Sequence, residues 1–293
     1  MNINTILIIG SGAMGSQIAL VSAVAGYRTV LQDISFQALE AAVASLRERM
    51  DRQVAKGRLE RAEADAALGR LHTVTSLEEA APDADLVIEA ATEKLETKQQ
   101  IFAELDRLAP AHTILTTNSS TLGSSMVAAA TGRPEKVCNM HFFNPALVMK
   151  CVEVVRHAHT SDETVHAVME LARTMGKSPV LLNREIPGFL ANRMMGAIRD
   201  EALALYDAGI ASIEDIDTAA KTALGHPMGP FELMDLVGLD VGYLIREATY
   251  QQTGDEKDLP HPALAELYAQ GHYGRKTGRG WYTYDSSSPT AAK

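Results

Sequence analysis

Cysteine is nearly absent from this chain of 293 residues: only Cys138 and Cys151 occur, each inside an apolar run. Two thiols supply neither a disulfide framework nor a four-ligand zinc site, so both are expected to be buried and reduced, and no metal is expected. No apolar stretch reaches the 18 residues that a membrane-spanning helix needs, and the run from Ile6 to Gly10 starts too near Met1 for a signal or transit peptide to precede it. A cytoplasmic protein without membrane attachment is the expectation. An excess of positive charge is missing too: 27 Lys and Arg stand against 37 Asp and Glu, a net charge of −10, which gives no general attraction for nucleic acid or anionic lipid. Any anionic ligand must be held by local features. What remains, 46% hydrophobic and 22% charged residues, is the composition of a globular protein, and the length predicts two domains.

Short apolar runs alternate with helix-length stretches through the first 180 or so residues. Runs at 6–9, 29–32, 71–74, 85–90, 114–117, 137–142, 151–155 and 179–182 have strand length and strand composition. Strands alternating with helices build right-handed βαβ units, and these build a doubly wound, mostly parallel α/β sheet of the Rossmann type. One connection, about 36–70, has no strand pattern and is broken at Lys56-Gly57, which predicts a helical hairpin inserted in the topology. Beyond Leu182 the strand signal ends. A first domain over 1–184, an all-helical second domain over 185–285 and a disordered tail over 286–293 are expected. The helix expected from Gly188 carries Phe189, Leu190, Met194, Met195, Ile198, Leu203, Leu205 and Tyr206 around so much of its circumference that one core does not bury them all, and a homodimer interface is the expected second partner.

The glycines Gly10, Gly12 and Gly15, with Ala13 and Met14 between them, follow the first strand and open an amphipathic helix. That context makes G-x-G-x-x-G a dinucleotide fingerprint: the first glycine for the tight turn, the second for approach of a pyrophosphate, the third for helix–strand packing. The pyrophosphate sits at the helix N-terminus. Asp33 ends the second strand and is followed by Ile34-Ser35, with no basic residue to offset a 2′-phosphate. A carboxylate there binds ribose hydroxyls, so NAD is expected rather than NADP, an ordinary turn aspartate being the alternative.

His141 ends one expected strand and Glu153 lies in the next, 12 residues on. A carboxylate on one imidazole nitrogen fixes the tautomer and stabilises the imidazolium, leaving the other nitrogen to exchange a proton with an alcohol that gives up a hydride. By spacing alone, a satisfied core histidine is an equal alternative.

Six motifs in order, Gly10-Ser-Gly-Ala-Met-Gly15, His141-Phe-Phe-Asn-Pro145, Met149-Lys-Cys-Val-Glu153, Pro187-Gly-Phe-Leu-Ala-Asn-Arg193, Gly225-His-Pro-Met-Gly-Pro230 and Gly274-Arg-Lys-Thr-Gly-Arg-Gly280, resemble the short-form L-3-hydroxyacyl-CoA dehydrogenases, in particular their bacterial 3-hydroxybutyryl-CoA branch. The resemblance runs from about residue 4 to residue 284. It implies an acyl-CoA substrate and NAD, with His141 as general base in oxidation and Glu153 orienting it. It makes Ser120 the residue that binds the substrate oxygen, and Asn192 the one that helps to hold the reacting group. It also puts Asn118, Glu93 and Lys98 beside the cofactor, the last two on its nicotinamide side, where a solvated helix pair is the other reading. Arg52 and Lys56, on the inserted hairpin that the family turns toward CoA, are placed to receive phosphates, unless they only line a solvated face. The segments Ala146-Leu147-Val148 and Leu190-Ala191 depart from the family's usual residues near the acyl pocket, and so bear on chain length.

Two other classes compete. A β-hydroxyacid or gulonate-type dehydrogenase shares the glycine turn, but the former's glycine-rich lysine motif is missing and the intact His141 and Met149-Lys150 segments favour an acyl-CoA. In a non-catalytic NAD-binding dimer, Ser120, His141, Glu153 and Asn192 have no task.

Overall fold

The computed structural model describes residues 2–284 and divides the chain into two compact units, 1–191 and 192–293. The expected tail at 286–293 lies outside the described residues. In the first unit eight strands form one sheet: β1 (Thr5–Ile9), β2 (Arg28–Gln32), β3 (Leu71–Val74), β4 (Leu86–Glu89), β5 (Ile114–Thr117), β6 (Val137–Phe142), β7 (Cys151–Val155) and β8 (Ser178–Leu182). Their spatial order is β3-β2-β1-β4-β5-β6-β7-β8. Neighbours run parallel except β6 and β7, so that β7 and β8 oppose the other six. The helices of this unit are α1 (Ala13–Val24), α2 (Phe36–Ala55), α3 (Arg61–Gly69), α4 (Leu77–Ala80), α5 (Leu95–Leu108), α6 (Ser124–Ala128) and α7 (Asp162–Thr174).

The central strands have to be apolar along their whole length because helices cover both faces. All of Thr5–Ile9 and Leu86–Glu89 are accordingly buried. Ile6, Ile8, Leu86, Ile88 and Met140 build the core on one face, and Leu7, Val87, Phe102, Leu105 and Leu115 build it on the other. Strand order reverses between β1 and β4, and this leaves a crevice at the strands' carboxyl ends. Gly10, Glu89 and Thr117 stand at that edge.

The expected inserted hairpin is α2 and α3. Ser35 caps α2 by accepting the Ala38 N–H, and Glu60 with Glu63 forms a capping box on α3. Leu46 and Met50 of α2 and Ala64 and Ala67 of α3 bury themselves with Leu20 of α1, each large side chain contributing about 1.5–3 kcal/mol. The hairpin is thereby held on the helix that the glycine turn opens.

The first unit runs to Ala191 rather than stopping at 184. Phe189, 1% exposed, packs with Val155 and Leu182, so the segment after β8 belongs to this core. The helix expected from Gly188 begins at Ala191 for the same reason: Phe189 has φ 47° and is not helical. A bulky residue in that region persists only where packing holds it. The second unit contains α8 (Ala191–Asp207) from its second residue, with α9 (Ile213–Ala223), α10 (Pro230–Val237), α11 (Leu239–Thr253) and α12 (Pro262–Ala269). Ala202, Leu203 and Phe231 with Trp281 and Tyr282 form its core. Two carboxylates tie it together. Asp217 accepts the Phe231 and Glu232 amides at the start of α10, and Asp235 accepts those of Trp281 and Tyr282.

Candidate active site

The glycine turn meets the demands on its three glycines in different ways. Gly10 has φ 94°, and a Cβ there would lie 2.7 Å from the Ala90 carbonyl oxygen and from Ala91 Cα. A Cβ on Gly15 would lie 1.9 Å from the Gly10 oxygen. Both are required by the protein's own packing. At Gly12 a Cβ would meet nothing within 4 Å, yet Gly12 is the N-cap of α1 and offers no side-chain cap. The open surface beside an uncapped helix N-terminus suits the pyrophosphate of a dinucleotide. Ala13 and Met14 begin that helix.

Asp33 follows β2 directly. One carboxylate oxygen accepts the amide and hydroxyl hydrogens of Ser11, each at 2.8 Å, and the other accepts the Ser35 amide at 3.0 Å. Burial alone would raise its pKa, but these three donors outweigh it and hold the carboxyl below its ordinary value. An ionised acceptor therefore stands beside the glycine turn, surrounded by serines and by no cation in its immediate hydrogen bonds.

β6 is parallel to β5, so its carboxyl end reaches the same edge, and the antiparallel register sets His141 opposite Glu153. Their Cβ atoms share a face, which lets His141 Nδ1 and Glu153 Oε2 come to 2.9 Å. Glu153 is 1% exposed and His141 5%. The second oxygen, Oε1, accepts the Leu190 amide at 3.0 Å and the Ala191 amide at 2.8 Å. Burial pushes the Glu153 pKa up, while His141 and the two amides pull it down further, so that the group lies below its ordinary value and stays charged. A carboxylate only accepts, so Nδ1 donates and Nε2 is left for a ligand. Phe143 and Phe189, with centroids 4.6 and 5.6 Å from the imidazole, wall the ring on its sides.

Ser120 is half-buried and makes no side-chain hydrogen bond among the described residues. Its loop is fixed by its neighbours. Ser119 donates its hydroxyl to Glu93 at 2.6 Å and accepts the Leu122 amide at 2.9 Å. Asn139, wholly buried, receives the Ser124 amide and donates to the Ser119 and Leu122 carbonyls. Glu185 caps α6 by accepting the Ser125 amide and both serine hydroxyls, of Ser124 and Ser125. Asn118 accepts the Phe142 amide at 2.8 Å, which ties this loop to the end of β6 beside His141.

The other expected residues are less alike in their settings. Glu93 is exposed and precedes α5, whereas Lys98 is 1% exposed, its ammonium 2.6 Å from Glu89. The two are not a solvated pair. Arg52 and Lys56 are both exposed at the end of α2, with the Arg52 guanidinium on Glu48 of its own helix. Asn192 opens the second unit as the second residue of α8. Glu89, Asn139 and Glu185 escaped the sequence reading. The signal for the first two was a polar residue inside a strand otherwise buried end to end.

The NAD-binding domain of 3-hydroxyacyl-CoA dehydrogenase matches residues 5–186, and the C-terminal domain of 3-hydroxyacyl-CoA dehydrogenase matches residues 188–284. A probable 3-hydroxybutyryl-CoA dehydrogenase of Bacillus subtilis is 41% identical over 288 residues, which is 98% of this chain and 100% of that protein. The crystal structure of 3-hydroxybutyryl-CoA dehydrogenase from Escherichia coli is similar with a TM-score of 0.91 at 38% identity; the match covers 99% of this chain and 61% of that one. That of (S)-3-hydroxybutyryl-CoA dehydrogenase from Ralstonia eutropha gives 0.88 at 38%, over 97% of this chain and 100% of that one.

The unequal settings of the glycines separate fold from binding. Gly15→Ala should lower stability by about 1–3 kcal/mol, because backbone has to move. Gly12→Ala should leave the urea midpoint unchanged and weaken NADH roughly tenfold or more, its methyl standing where the pyrophosphate approaches. Urea unfolding together with NADH fluorescence titration checks both, and an unchanged NADH affinity in Gly12→Ala would count against this placement.

Proposed function

The chain belongs to the NAD-dependent 3-hydroxyacyl-CoA dehydrogenase family, and we propose that it interconverts L-3-hydroxybutyryl-CoA and acetoacetyl-CoA. The buried His141–Glu153 pair at the crevice edge carries the reading. Bound NAD supplies the acceptor for the hydride that leaves C3 in oxidation, and NADH its donor in reduction. Everything else falls to the chain.

In oxidation the C3 hydroxyl gives its proton to His141 Nε2, and the charged ring is stabilised through Nδ1 by Glu153; in reduction the same imidazolium returns the proton to the ketone oxygen. Ser120 donates its unengaged hydroxyl to the substrate oxygen, and Asn192 helps to hold the reacting group. Gly10, Gly12, Ala13, Met14 and Gly15 receive the pyrophosphate, Asp33 the adenosine ribose, and Asn118 and Glu93 the nicotinamide side, where Lys98 stands buried against Glu89. Asp33 favours NAD, since a 2′-phosphate of roughly −1.5 to −2 charges would face an ionised carboxylate. Arg52 and Lys56 meet the phosphates of CoA. The short-chain choice follows the names of the similar enzymes from Bacillus subtilis and Ralstonia eutropha.

The reading includes a cytoplasmic location, consistent with two free thiols, of which Cys138 is pushed up to about 12 by burial. No helix among the described residues is long and apolar enough to cross a membrane. It also includes a homodimer through the helical unit. Met194, Met195 and Ile198 share one face of α8, and Val241, Leu244 and Ile245 one face of α11, all exposed within this chain. Such stripes at helical spacing favour a second copy over water.

Absorbance of NADH with acetoacetyl-CoA tests the activity, with turnover expected and a lower kcat/KM for NADPH. His141→Ala should lose roughly 10²- to 10⁴-fold in kcat with NADH affinity nearly unchanged. A variant that kept more than about a third of wild-type kcat would move the proton transfer to another group. Sedimentation at micromolar concentration should give a mass near twice 31.6 kDa; a mass near the single-chain value would reject the dimer.

A further inference from the structure

Beneath the crevice between β1 and β4 lies a charged pair that the proton-transfer groups do not touch. Glu89, the last residue of β4, is wholly buried, and Lys98 of α5 is 1% exposed. One oxygen of Glu89, Oε2, accepts from Lys98 Nζ at 2.6 Å and from the Thr117 hydroxyl at 2.8 Å; the other, Oε1, accepts the Ala91 amide at 2.9 Å. Removing two charges from water costs about as much as their attraction returns, so apolar residues of the same volume would stabilise the fold at least as well. They could not hold an amide and a hydroxyl at the same time.

Each branch leads to a different half of the site. On the Ala91 side, the Ala90–Ala91 backbone lies so close to the glycine turn that Gly10 has no space for a Cβ, and Ala90 Cβ would stand 3.6 Å from one on Gly15. A shift of this wall displaces the turn. On the Thr117 side, the same hydroxyl oxygen accepts the Ser119 amide at 3.2 Å, and Ser119 in turn anchors the loop that presents Ser120. Lys98 also reaches Thr117 Oγ1, at 3.4 Å. Its ammonium is thus the counter-charge packed against the carboxylate and the hydroxyl together.

Resting on the dehydrogenase reading, we propose that Glu89 is a positioning residue that sets the cofactor wall and the Ser120 loop in register through its two oxygens, with Lys98 as its counter-charge. Lys98 then acts on the cofactor side through Glu89 rather than by direct contact.

Three full-length variants test this, each measured by NADH fluorescence titration, steady-state kinetics with acetoacetyl-CoA and urea unfolding. Glu89→Gln with Lys98→Met removes both charges at nearly constant volume, and should raise the NADH Kd about fivefold or more and lower kcat about tenfold or more. Thr117→Val cuts only the serine branch, so NADH Kd should stay within about twofold while kcat/KM for the ester falls about tenfold. Thr117→Ser, which restores the hydroxyl, should recover most of that loss. The proposal is overturned if the double variant binds NADH and turns over like wild type while only its urea midpoint changes. It is equally overturned if Thr117→Val matches Thr117→Ser, or loses NADH affinity as much as ester turnover. Should the double variant fail to fold, the Thr117 pair decides alone. Wild-type protein that binds no NADH would instead reject the dehydrogenase reading, a result separable from all of these.

Discussion

The Glu153 carboxylate is charged and 1% exposed, a state that a fold tolerates only when every lone pair facing the interior has a donor. Much of the first unit is arranged to supply them. His141 comes from β6, and the antiparallel register of β7 against it sets the two side chains opposite one another. The remaining donors are the Leu190 and Ala191 amides, which reach Oε1 because the chain turns sharply at Phe189, φ 47°. The strain there is offset by the Phe189 ring, packed with Val155 and Leu182 and edge-on to His141. A backbone feature that looks unfavourable by itself is thus part of what keeps a charge buried.

Two buried carboxylates of the same sheet, Glu153 within β7 and Glu89 at the end of β4, show how the partner decides the task. Glu153 faces an imidazole that it holds through Nδ1 with Nε2 left open, and so its charge bears on a group suited to proton exchange. Glu89 faces an ammonium that is sequestered with it, and so its charge fixes geometry. By contrast, the Arg52–Glu48 pair on the hairpin is exposed on both sides, contributes about 0–1 kcal/mol, and leaves the guanidinium free to exchange its partner for a phosphate. The overall charge of −10 makes such local cations necessary for an anionic ligand.

Most of the first unit was legible in the sequence because buried parallel strands are apolar on both faces. Each of the eight expected runs overlaps a strand, and the hairpin over α2 and α3 falls between Phe36 and Gly69 as its composition implied. The Asp33, His141 and Glu153 positions were legible for the same reason, as polar residues at strand ends or in apolar runs. Glu89 and Asn139 carried that signal as well, but their partners are Lys98 on α5 and the 119–124 loop, pairings that no short spacing reveals. Phe189 falls at the start of an apolar run with helical spacing. Its composition fits a helix, and tertiary packing against Val155 overrides that local preference.

If the His141–Glu153 pair governs proton transfer, the carboxylate's charge must show in the pH dependence of ketone reduction, where the imidazolium is the competent form. Activity is then present at low pH and lost as pH rises and the ring gives up its proton. In Glu153→Gln a neutral amide no longer favours the charged ring, so this loss should begin at lower pH than in wild type, with a lower maximal kcat in a protein that still binds NADH. The steady-state pH profile of acetoacetyl-CoA reduction by the two proteins makes the comparison directly. A profile in Glu153→Gln that falls at the same pH as that of wild type would contradict the account, because it would mean that the Glu153 charge is not felt by the group that carries the proton.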